Sequence, residues 1–493
     1  MNANLFRREL ILAAAGVSIG IVGFSAKAWG DTPASWAVTS GNWSNPANWA
    51  SNPYYPNDGN PAGSLYDVLL QGGTATLDVS PTIEKLTLSA GTITGSNTLT
   101  VAGQLQWFNG TLSNSSTFAD GGLSMPLGIA YLSGGSLTTA ASTTVSIGFA
   151  GQTSLALSNG ATLNNAASLT ASSGSIYYSD TGALTTINNS GSFTVNDSGG
   201  KFTLGYSYFK NTGSLDVAAG TLDMFSYYTG STGSIDVSPG ATFIIEQSFA
   251  QTPSFENDGL TDFYAVSMSS GNITGAGTTN LGAGKLKINA SSGASSQDAL
   301  TINNGTLDLT NNSFYINYGS NPDPISQIAG YIDSGYDGGT WKGAGITSST
   351  AQTNSASYGI GYADSADPGN PAGLSRGTIE IKYTLLGDAN LDGKVNGADF
   401  TLMAASFNDS VTNGWDEGDF NYDGKVNGND FVLLADNFNQ FASQSAVSAA
   451  DLIALNSFAA ANGLATNVPE PLCISSAAFA AALSLRWRRQ RLD

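Results

Sequence analysis

The sequence predicts a mostly β protein whose body is a right-handed parallel β-solenoid, followed by a small α-helical module. Two observations support this fold class. A short strand motif that begins with glycine recurs through most of the 493-residue chain. Near the carboxyl end, two acidic loops of nearly the same sequence are each followed by apolar residues at helical spacing.

The strand motif consists of glycine, a small hydroxyl residue, an apolar residue, a polar residue and a second apolar residue. Copies begin at Gly191, Gly213 and Gly233, which are 22 and 20 residues apart. Alternation with a period of two gives each strand one buried and one exposed face. A repeat of about 20 residues fits one coil of a solenoid, in which each coil covers the next. One or two β-sandwiches are the alternative.

The predicted organisation follows from where these patterns begin and end. In chain order, the segments are a signal peptide (1–30), solenoid repeats (31–325), a closing β segment (326–383), the module with tandem loops (384–440), a linker (441–467), and a sorting signal with a short transmembrane segment (468–493).

Aromatic residues are grouped at the start of the body and recur along it. Trp36, Trp43 and Trp49 precede the first repeats. An uncovered solenoid end would pair with other chains, so we expect a hydrophobic cap there, with a sugar-binding patch as the alternative. Pairs such as Tyr177-Tyr178 place one ring in the core, because neighbours in a strand face opposite sides. The remaining rings are either a structural ladder or a platform for polysaccharide.

The composition excludes several classes of function. The net charge of −20 argues against nucleic-acid partners and anionic membrane surfaces. The absence of histidine excludes Ser-His-Asp triads and histidine-ligated zinc. The single cysteine, Cys473, excludes an intrachain disulfide framework.

The carboxylates of the body do not form an evident catalytic pair. Glycosidases need two carboxyl groups about 5–10 Å apart. Asp216, Asp223, Asp236 and Asp308 recur at strand positions, which predicts an exposed polar face. We therefore expect a non-catalytic protein; if it is an enzyme, a polysaccharide hydrolase or lyase is the predicted class.

The two acidic loops have the spacing of calcium-binding EF-hand loops. They run from Asp388 to Asp399 and, beginning 31 residues later, from Asp419 to Asp430. Each has oxygen-bearing side chains at positions 1, 3, 5, 9 and 12 and glycine at position 6. Calcium prefers about six to eight oxygen ligands, and the glycine permits the sharp turn.

Apolar residues follow each loop at steps of three and four, as on one face of a helix: Phe400, Met403 and Phe407, then Phe431, Leu434 and Phe438. Two loop–helix units without a preceding helix resemble the dockerin type I domain, over residues 387–440. Aspartate at position 12 agrees with dockerins. Positions 10 and 11, Gly397-Ala398 and Gly428-Asn429, lack the hydroxyl residues that cellulosomal dockerins often use for recognition.

The resemblance implies that the module binds two Ca²⁺ ions and docks to a cohesin-like protein. The ligand groups that it implies are the side chains of Asp388, Asn390, Asp392, Asn396 and Asp399 with the Lys394 carbonyl, and those of Asp419, Asn421, Asp423, Asn427 and Asp430 with the Lys425 carbonyl.

The two termini predict export. Arg7 and Arg8, the apolar residues 10–24 and the small residues Ala26 and Ala28 are typical of a signal peptide, for the general or the twin-arginine route. At the other end, the sequence combines the motif Pro469, Glu470 and Pro471, an apolar run of about 21 Å and an arginine cluster.

This order of parts resembles a PEP-CTERM sorting signal, which implies recognition by an exosortase-type membrane protease. A plain membrane anchor is the alternative. The tryptophan-rich opening resembles bacterial surface proteins with autotransporter-associated β-strand repeats.

Together these patterns predict an exported, non-catalytic protein of the cell surface or extracellular matrix, with a transient or retained C-terminal membrane anchor. Its calcium-binding module would attach it to a protein partner. The alternative is a component of extracellular polysaccharide degradation, with carbohydrate binding or O-glycosyl hydrolase activity.

Overall fold

A computed structural model describes residues 31–140, 144–147, 153–179, 181–251, 255–264, 267–412, 414–439 and 448–464. The predicted signal peptide and the predicted sorting signal lie outside these residues. Within the described part of the chain, no helix combines the length and the apolar character needed to cross a bilayer.

Short strands make up the body. In chain order they are β1 Asp31–Ser35, β2 Ser40–Asn42, β3 Leu65–Thr76, β4 Thr82–Ile83, β5 Lys85–Val101, β6 Leu105–Trp107, β7 Gly110–Ala119, β8 Leu123–Met125, β9 Gly128–Ser133, β10 Ser136–Thr139, β11 Thr144–Ile147, β12 Thr153–Ser158, β13 Thr162–Asn165, β14 Ser168–Ala171, β15 Gly174–Tyr178, β16 Thr186–Asn189 and β17 Ser192–Gly205.

The second half continues with β18 Tyr208–Asn211, β19 Ser214–Met224, β20 Tyr227–Ser231, β21 Ser234–Val237, β22 Thr242–Ile245, β23 Phe249–Gln251, β24 Phe255–Asn257, β25 Leu260–Phe263, β26 Ser267–Ser270, β27 Ile273–Thr274, β28 Thr278–Ile288, β29 Ser295–Gln297, β30 Ala299–Asp308, β31 Ser313–Ile316, β32 Gly345–Thr347, β33 Tyr358–Asp364 and β34 Ile379–Leu385. In the described residues, five α-helices follow or interrupt the strands: α1 Ile325–Tyr336, α2 Ser349–Thr353, α3 Gly397–Ala405, α4 Gly428–Asn437 and α5 Ala449–Asn462.

The strands form a parallel β-solenoid of about 12 turns, which confirms the predicted fold. In the middle of the body each strand pairs in parallel with the strand three later, as β10 does with β13 and β13 with β16. Each coil there therefore contributes three strands. Longer strands such as β17 and β19 bend across two faces of the coil, with register shifts at the bend.

The core consists of columns in which one apolar side chain per coil stacks on the next. Leu163 pairs with Ile187, Ile187 with Phe209, and Phe209 with Tyr228, and all four are buried. Burial of each large apolar side chain contributes about 1.5–3 kcal/mol. The glycine that opens each repeat is a packing requirement, because a β-carbon at Gly213 would lie 1.9 Å from the Gly191 carbonyl oxygen.

Buried asparagines form a second column inside the solenoid. Asn165 Nδ2 donates to Asn189 Oδ1 at 2.7 Å, and Asn189 Nδ2 donates to Asn211 Oδ1 at 2.8 Å. Asn189 Nδ2 also donates to the backbone carbonyl of Ser214 at 2.7 Å. The amides thereby satisfy one another across coils where water cannot reach them.

The amino-terminal end is covered by the tryptophans, as the sequence predicts. Trp43 and Trp49 are buried, and their ring centroids lie 4.6 Å apart. Trp36 packs edge-on against Trp49 at 4.8 Å. These contacts confirm the hydrophobic cap.

The carboxyl-terminal end is covered by residues 326–383, where the structure has helices as well as the predicted strands. Strand β32 adds to β30 in parallel, while β34 pairs antiparallel with both β31 and β33. The Tyr331 hydroxyl, on α1, accepts a hydrogen bond from the backbone N–H of Ile302 at 3.0 Å. The closing segment therefore satisfies a backbone N–H group of the last coils.

The prediction that Asp223 and Asp308 lie on an exposed face is wrong. Both are almost completely buried. Lys201 forms an ion pair with Asp223, and Lys285 Nζ lies 2.7 Å from Asp308 Oδ2. Each lysine comes from the preceding coil and covers the carboxylate, which explains how the carboxylate is tolerated there.

We predict that Asn189→Ala lowers the free energy of unfolding by about 1–3 kcal/mol, because buried Asn211 Oδ1 loses the donor Asn189 Nδ2 and Asn165 Nδ2 loses the acceptor Asn189 Oδ1. Chemical denaturation followed by circular dichroism measures this loss. Asn188→Ala is the matched control: Asn188 is half-buried on the outer side and donates only to Asn164 Oδ1 among side chains. Equal losses for the two variants would contradict a stabilising internal column.

Candidate metal centre

Each acidic loop ends on the first turn of a short helix, where its last carboxylate is fixed. Asn396 caps α3, and its backbone N–H donates to Asp399 Oδ2 at 2.9 Å. Asp399 Oδ1 accepts from the backbone N–H of Ala389 at 3.0 Å. Position 12 is thus linked by hydrogen bonds to both ends of the loop, which closes it into a ring.

The second loop repeats this geometry at the start of α4. Asn427 caps the helix, and its backbone N–H donates to Asp430 Oδ2 at 2.9 Å. Asp430 Oδ1 accepts from Phe420 N at 2.9 Å. Gly393 and Gly424, at position 6, have φ of 83° and 76°, so each loop takes the tight turn that its spacing predicts.

Asp388, at position 1 of the first loop, has one oxygen without a partner. Its Oδ2 accepts hydrogen bonds from Thr384 Oγ1 and from Gly393 N, the latter at 3.0 Å. Its Oδ1 is buried and has no hydrogen-bond partner. An unpaired carboxylate oxygen in a buried loop is costly, and a hard cation would satisfy it. This residue therefore fits calcium.

The surroundings of the loop carboxyl groups raise their pKa values. Burial raises the pKa of Asp388 to about 6, that of Asp399 to about 7 and that of Asp430 to about 6. The neighbouring Asp388 carboxylate raises that of Asp399 further, and Asp419 does the same to Asp430. Negative charge is thus disfavoured in both loops unless a cation offsets it.

The donor sets depend on more than carboxylates. Within the described residues, no group of three or more Asp, Glu, His or Cys side chains is arranged to hold a metal ion by itself. Two of the predicted side-chain donors in each loop are amides, and one donor is a backbone carbonyl. Asn390 Oδ1 accepts from Asp392 N at 3.0 Å, and Asn421 Oδ1 accepts from Asp423 N at 3.0 Å. The amide oxygens of Asn390 and Asn421 are therefore held close to the loop backbone by these hydrogen bonds.

The module packs directly on the closing sheet through Tyr422, at position 4 of the second loop. Its hydroxyl donates to the Ile360 carbonyl at 2.9 Å and accepts from Ile360 N at 3.1 Å, on β33. Its ring centroid lies 4.7 Å from that of Tyr336 and 5.5 Å from that of Trp415. The second loop is therefore attached to the cap of the solenoid by a buried aromatic cluster.

The first loop makes the equivalent contact through Leu391, also at position 4. A β-carbon at Gly361 of β33 would lie 2.5 Å from Leu391 Cδ2, so glycine is needed for this approach. Lys382 Nζ donates to the Leu391 carbonyl, and Trp415 Nε1 donates to the Asp388 carbonyl at 2.8 Å. Both loops thus contact the closing sheet.

A pair of carboxyl groups lies beside this junction. Asp416 is buried, and neither of its carboxylate oxygens has a donor. Burial raises the pKa of Asp416 far above its usual range, and the facing Asp367 raises it further. Burial also raises the pKa of Asp367. The two groups are best accommodated when they share a proton.

Helix α5 packs on the module, although the sequence predicts a linker there. The Phe458 ring centroid lies 5.3 Å from that of Phe400 and 5.8 Å from that of Phe431. At loop position 10, a β-carbon on Gly397 would lie 2.4 Å from the Asp451 carboxyl carbon. The helix therefore covers part of both loop–helix units.

Sequence reasoning found the loops and missed their attachment. The assignment of the loop side chains as calcium ligands stays a prediction. Trp415, Tyr422 and Asp416 were not singled out, although an aromatic residue inside an otherwise polar loop is a signal that the position is buried.

We predict that Asp416→Asn raises the melting temperature at pH 8 by about 2 °C or more, because the amide donates to Asp367 and needs no proton. Because the folded state raises the pKa of Asp416, the folded protein tolerates this residue best when it is protonated. The resulting stability is fully present below about pH 4 and is lost as pH rises toward the folded-state pKa. The benefit of the substitution should therefore be larger at pH 8 than at pH 5.

Differential scanning calorimetry in saturating calcium measures both values, and Asp409→Asn, at an exposed position between the loops, is the control. A benefit that is the same at both pH values would contradict a shared proton.

Comparison with known proteins identifies the module. Residues 386–439 match the dockerin type I domain family. No curated protein matches the chain, and no solved structure matches it. Dockerin domains bind calcium and attach to cohesin partners, and dockerin proteins are typically extracellular or on the cell surface. Residues 386–439, which pack on the end of the β-solenoid, are therefore similar to a dockerin type I domain.

Proposed function

We propose that this protein is an exported, non-catalytic scaffold of the cell surface or extracellular matrix, attached to a cohesin-like partner by its dockerin domain. The observation that carries the proposal is the dockerin match over two complete loop–helix units. The solenoid projects the domain, and the termini supply export through 1–30 and sorting by an exosortase-type protease through 468–493.

In this proposal two Ca²⁺ ions are bound, one in each loop. The first is held by the side chains of positions 1, 3, 5, 9 and 12 with the Lys394 carbonyl, and the second by the matching set with the Lys425 carbonyl. Calcium would supply the positive charge that offsets the negative charge of the buried carboxylates. The chain's own residues do the rest: the helix caps hold Asp399 and Asp430, while Leu391 and Tyr422 hold the loops against β33.

Partner binding has a structural condition in this chain. The dockerin resemblance places recognition at positions 10 and 11. Helix α5 lies against Gly397, and Leu464, just after the end of α5, lies close to Gly428. The cohesin-like partner therefore either uses the part of the module that α5 leaves exposed or displaces α5.

We predict that calcium raises the melting temperature of the module in the full chain and that Asp388→Ala combined with Asp419→Ala abolishes the rise. At a calcium concentration 100 times Kd, one bound ion adds about 2.7 kcal/mol to the stability of the folded module. Differential scanning calorimetry with calcium and with chelator measures it, and Asp409→Ala is the matched control. A full rise in the double variant would contradict the ligand assignment.

Attachment itself is tested by binding of the full chain to an immobilised type I cohesin. The proposal expects capture in calcium, no capture in chelator, and no capture of the double variant. Calcium-dependent stabilisation without capture would separate metal binding from attachment and would contradict the cohesin proposal.

A further inference from the structure

A column of aromatic side chains runs along one outer face of the solenoid. Tyr131 pairs in register with Ala156, Ala156 with Tyr177, and Tyr177 with Gly205. In the next three coils, Leu204 pairs with Met224, Met224 with Ile245, and Ile245 with Phe263. The residue after each of these continues the column, which gives Phe225, Glu246 and Tyr264 as its next three members.

The column alternates between rings and other residues. Tyr131, Tyr177, Phe225 and Tyr264 are separated by alanine, glycine and glutamate. Neighbouring coils lie about 4.8 Å apart, so rings on every second coil are spaced about 9.6 Å along the axis. This spacing is close to the length of two sugar units in an extended β-1,4-linked polysaccharide.

The glycine at the centre of the column leaves a groove between two rings. A β-carbon at Gly205 would lie 2.9 Å from Tyr177 Cβ, so a larger residue would fill this space. The groove has a volume of about 650 Å³, and its lining includes Ser175, Tyr177, Thr203, Gly205, Tyr206 and Phe225.

Tyr206 is held at this groove in an unusual backbone conformation. Its φ is 52°, a left-handed value that is uncommon outside glycine, and 52% of the residue is exposed. Its ring stacks on that of Phe225, with centroids 5.8 Å apart and planes at 29°. The exposed Tyr206 ring, stacked on the half-buried Phe225 ring, presents an apolar surface to solvent.

The charge around the groove fits an uncharged ligand. None of the side chains that line it is ionic, and the lining offers hydroxyl groups from Ser175 and Thr203. Asp223, which pairs in register with the groove residue Thr203, already forms an ion pair with Lys201. An anionic polymer would find no free cation in this lining, whereas sugar hydroxyls would find partners.

The backbone at this face excludes a peptide added as a strand. β15 is paired on both sides, with β12 and β17, so its backbone groups are already bonded. Recognition must therefore come from side chains alone, and strand addition is not available.

We propose that this column is a binding site for an uncharged, extended β-1,4-linked polysaccharide that lies along the solenoid axis. Sugar rings stack on Tyr177 and on the Tyr206–Phe225 pair, and their hydroxyls bond to Ser175 and Thr203. Gly205 provides the space between the two stacking points. This site is separate from the dockerin domain, so its existence does not depend on calcium-dependent attachment.

The test is isothermal titration calorimetry of the full chain with cellohexaose, xylohexaose and mannohexaose as probes. We expect at least one probe to bind with a Kd below about 1 mM, and Tyr177→Ala and Phe225→Ala each to weaken that binding about tenfold. The control is Tyr208→Ala, which removes an exposed ring outside the groove whose centroid lies 5.8 Å from that of Tyr227, with the two planes tilted at 40°.

Two results would overturn the proposal. The first is that none of the three probes binds. The second is that Tyr208→Ala weakens binding as much as Tyr177→Ala, while circular dichroism shows all variants folded. Retained binding by Tyr208→Ala, with loss in both groove variants, supports the site.

Discussion

The structure depends on the covering of the last solenoid coils. A parallel stack has a regular interior, but its final coil presents unpaired backbone groups and an uncovered apolar face. Here the cover is built from β33, β34 and α1, and the dockerin loops rest on that cover through Leu391 and Tyr422. The end of the scaffold and the base of the attachment module are therefore one packed unit.

This arrangement changes what calcium does for the protein. In a module on a flexible tether, the ion would order only its own loop. Here position 4 of each loop is buried against β33, and Trp415 connects the Asp388 carbonyl to the Tyr422 ring. Ordering of a loop by calcium therefore extends, in our proposal, to the sheet that closes the solenoid. The result would be a rigid arm instead of a hinged one.

The sequence predicts the features that depend on residues close together in the chain. The Gly213 repeat with its alternating residues predicts the solenoid, and the oxygen spacing from Asp388 to Asp399 predicts the loops. Contacts between distant segments were not predictable in this way. Lys201 pairs with Asp223 because the length of the coil between them brings the two residues together. Helix α5 lies on the module because Phe458 packs against Phe400 and Phe431.

The central claim is that the calcium loops and the solenoid cap form one unit, and hydrogen–deuterium exchange of the full chain tests it most directly. The account predicts that added calcium slows exchange in β33 and β34 as well as in the two loops. Slower exchange confined to residues 388–430, with β33 and β34 unchanged, would contradict it.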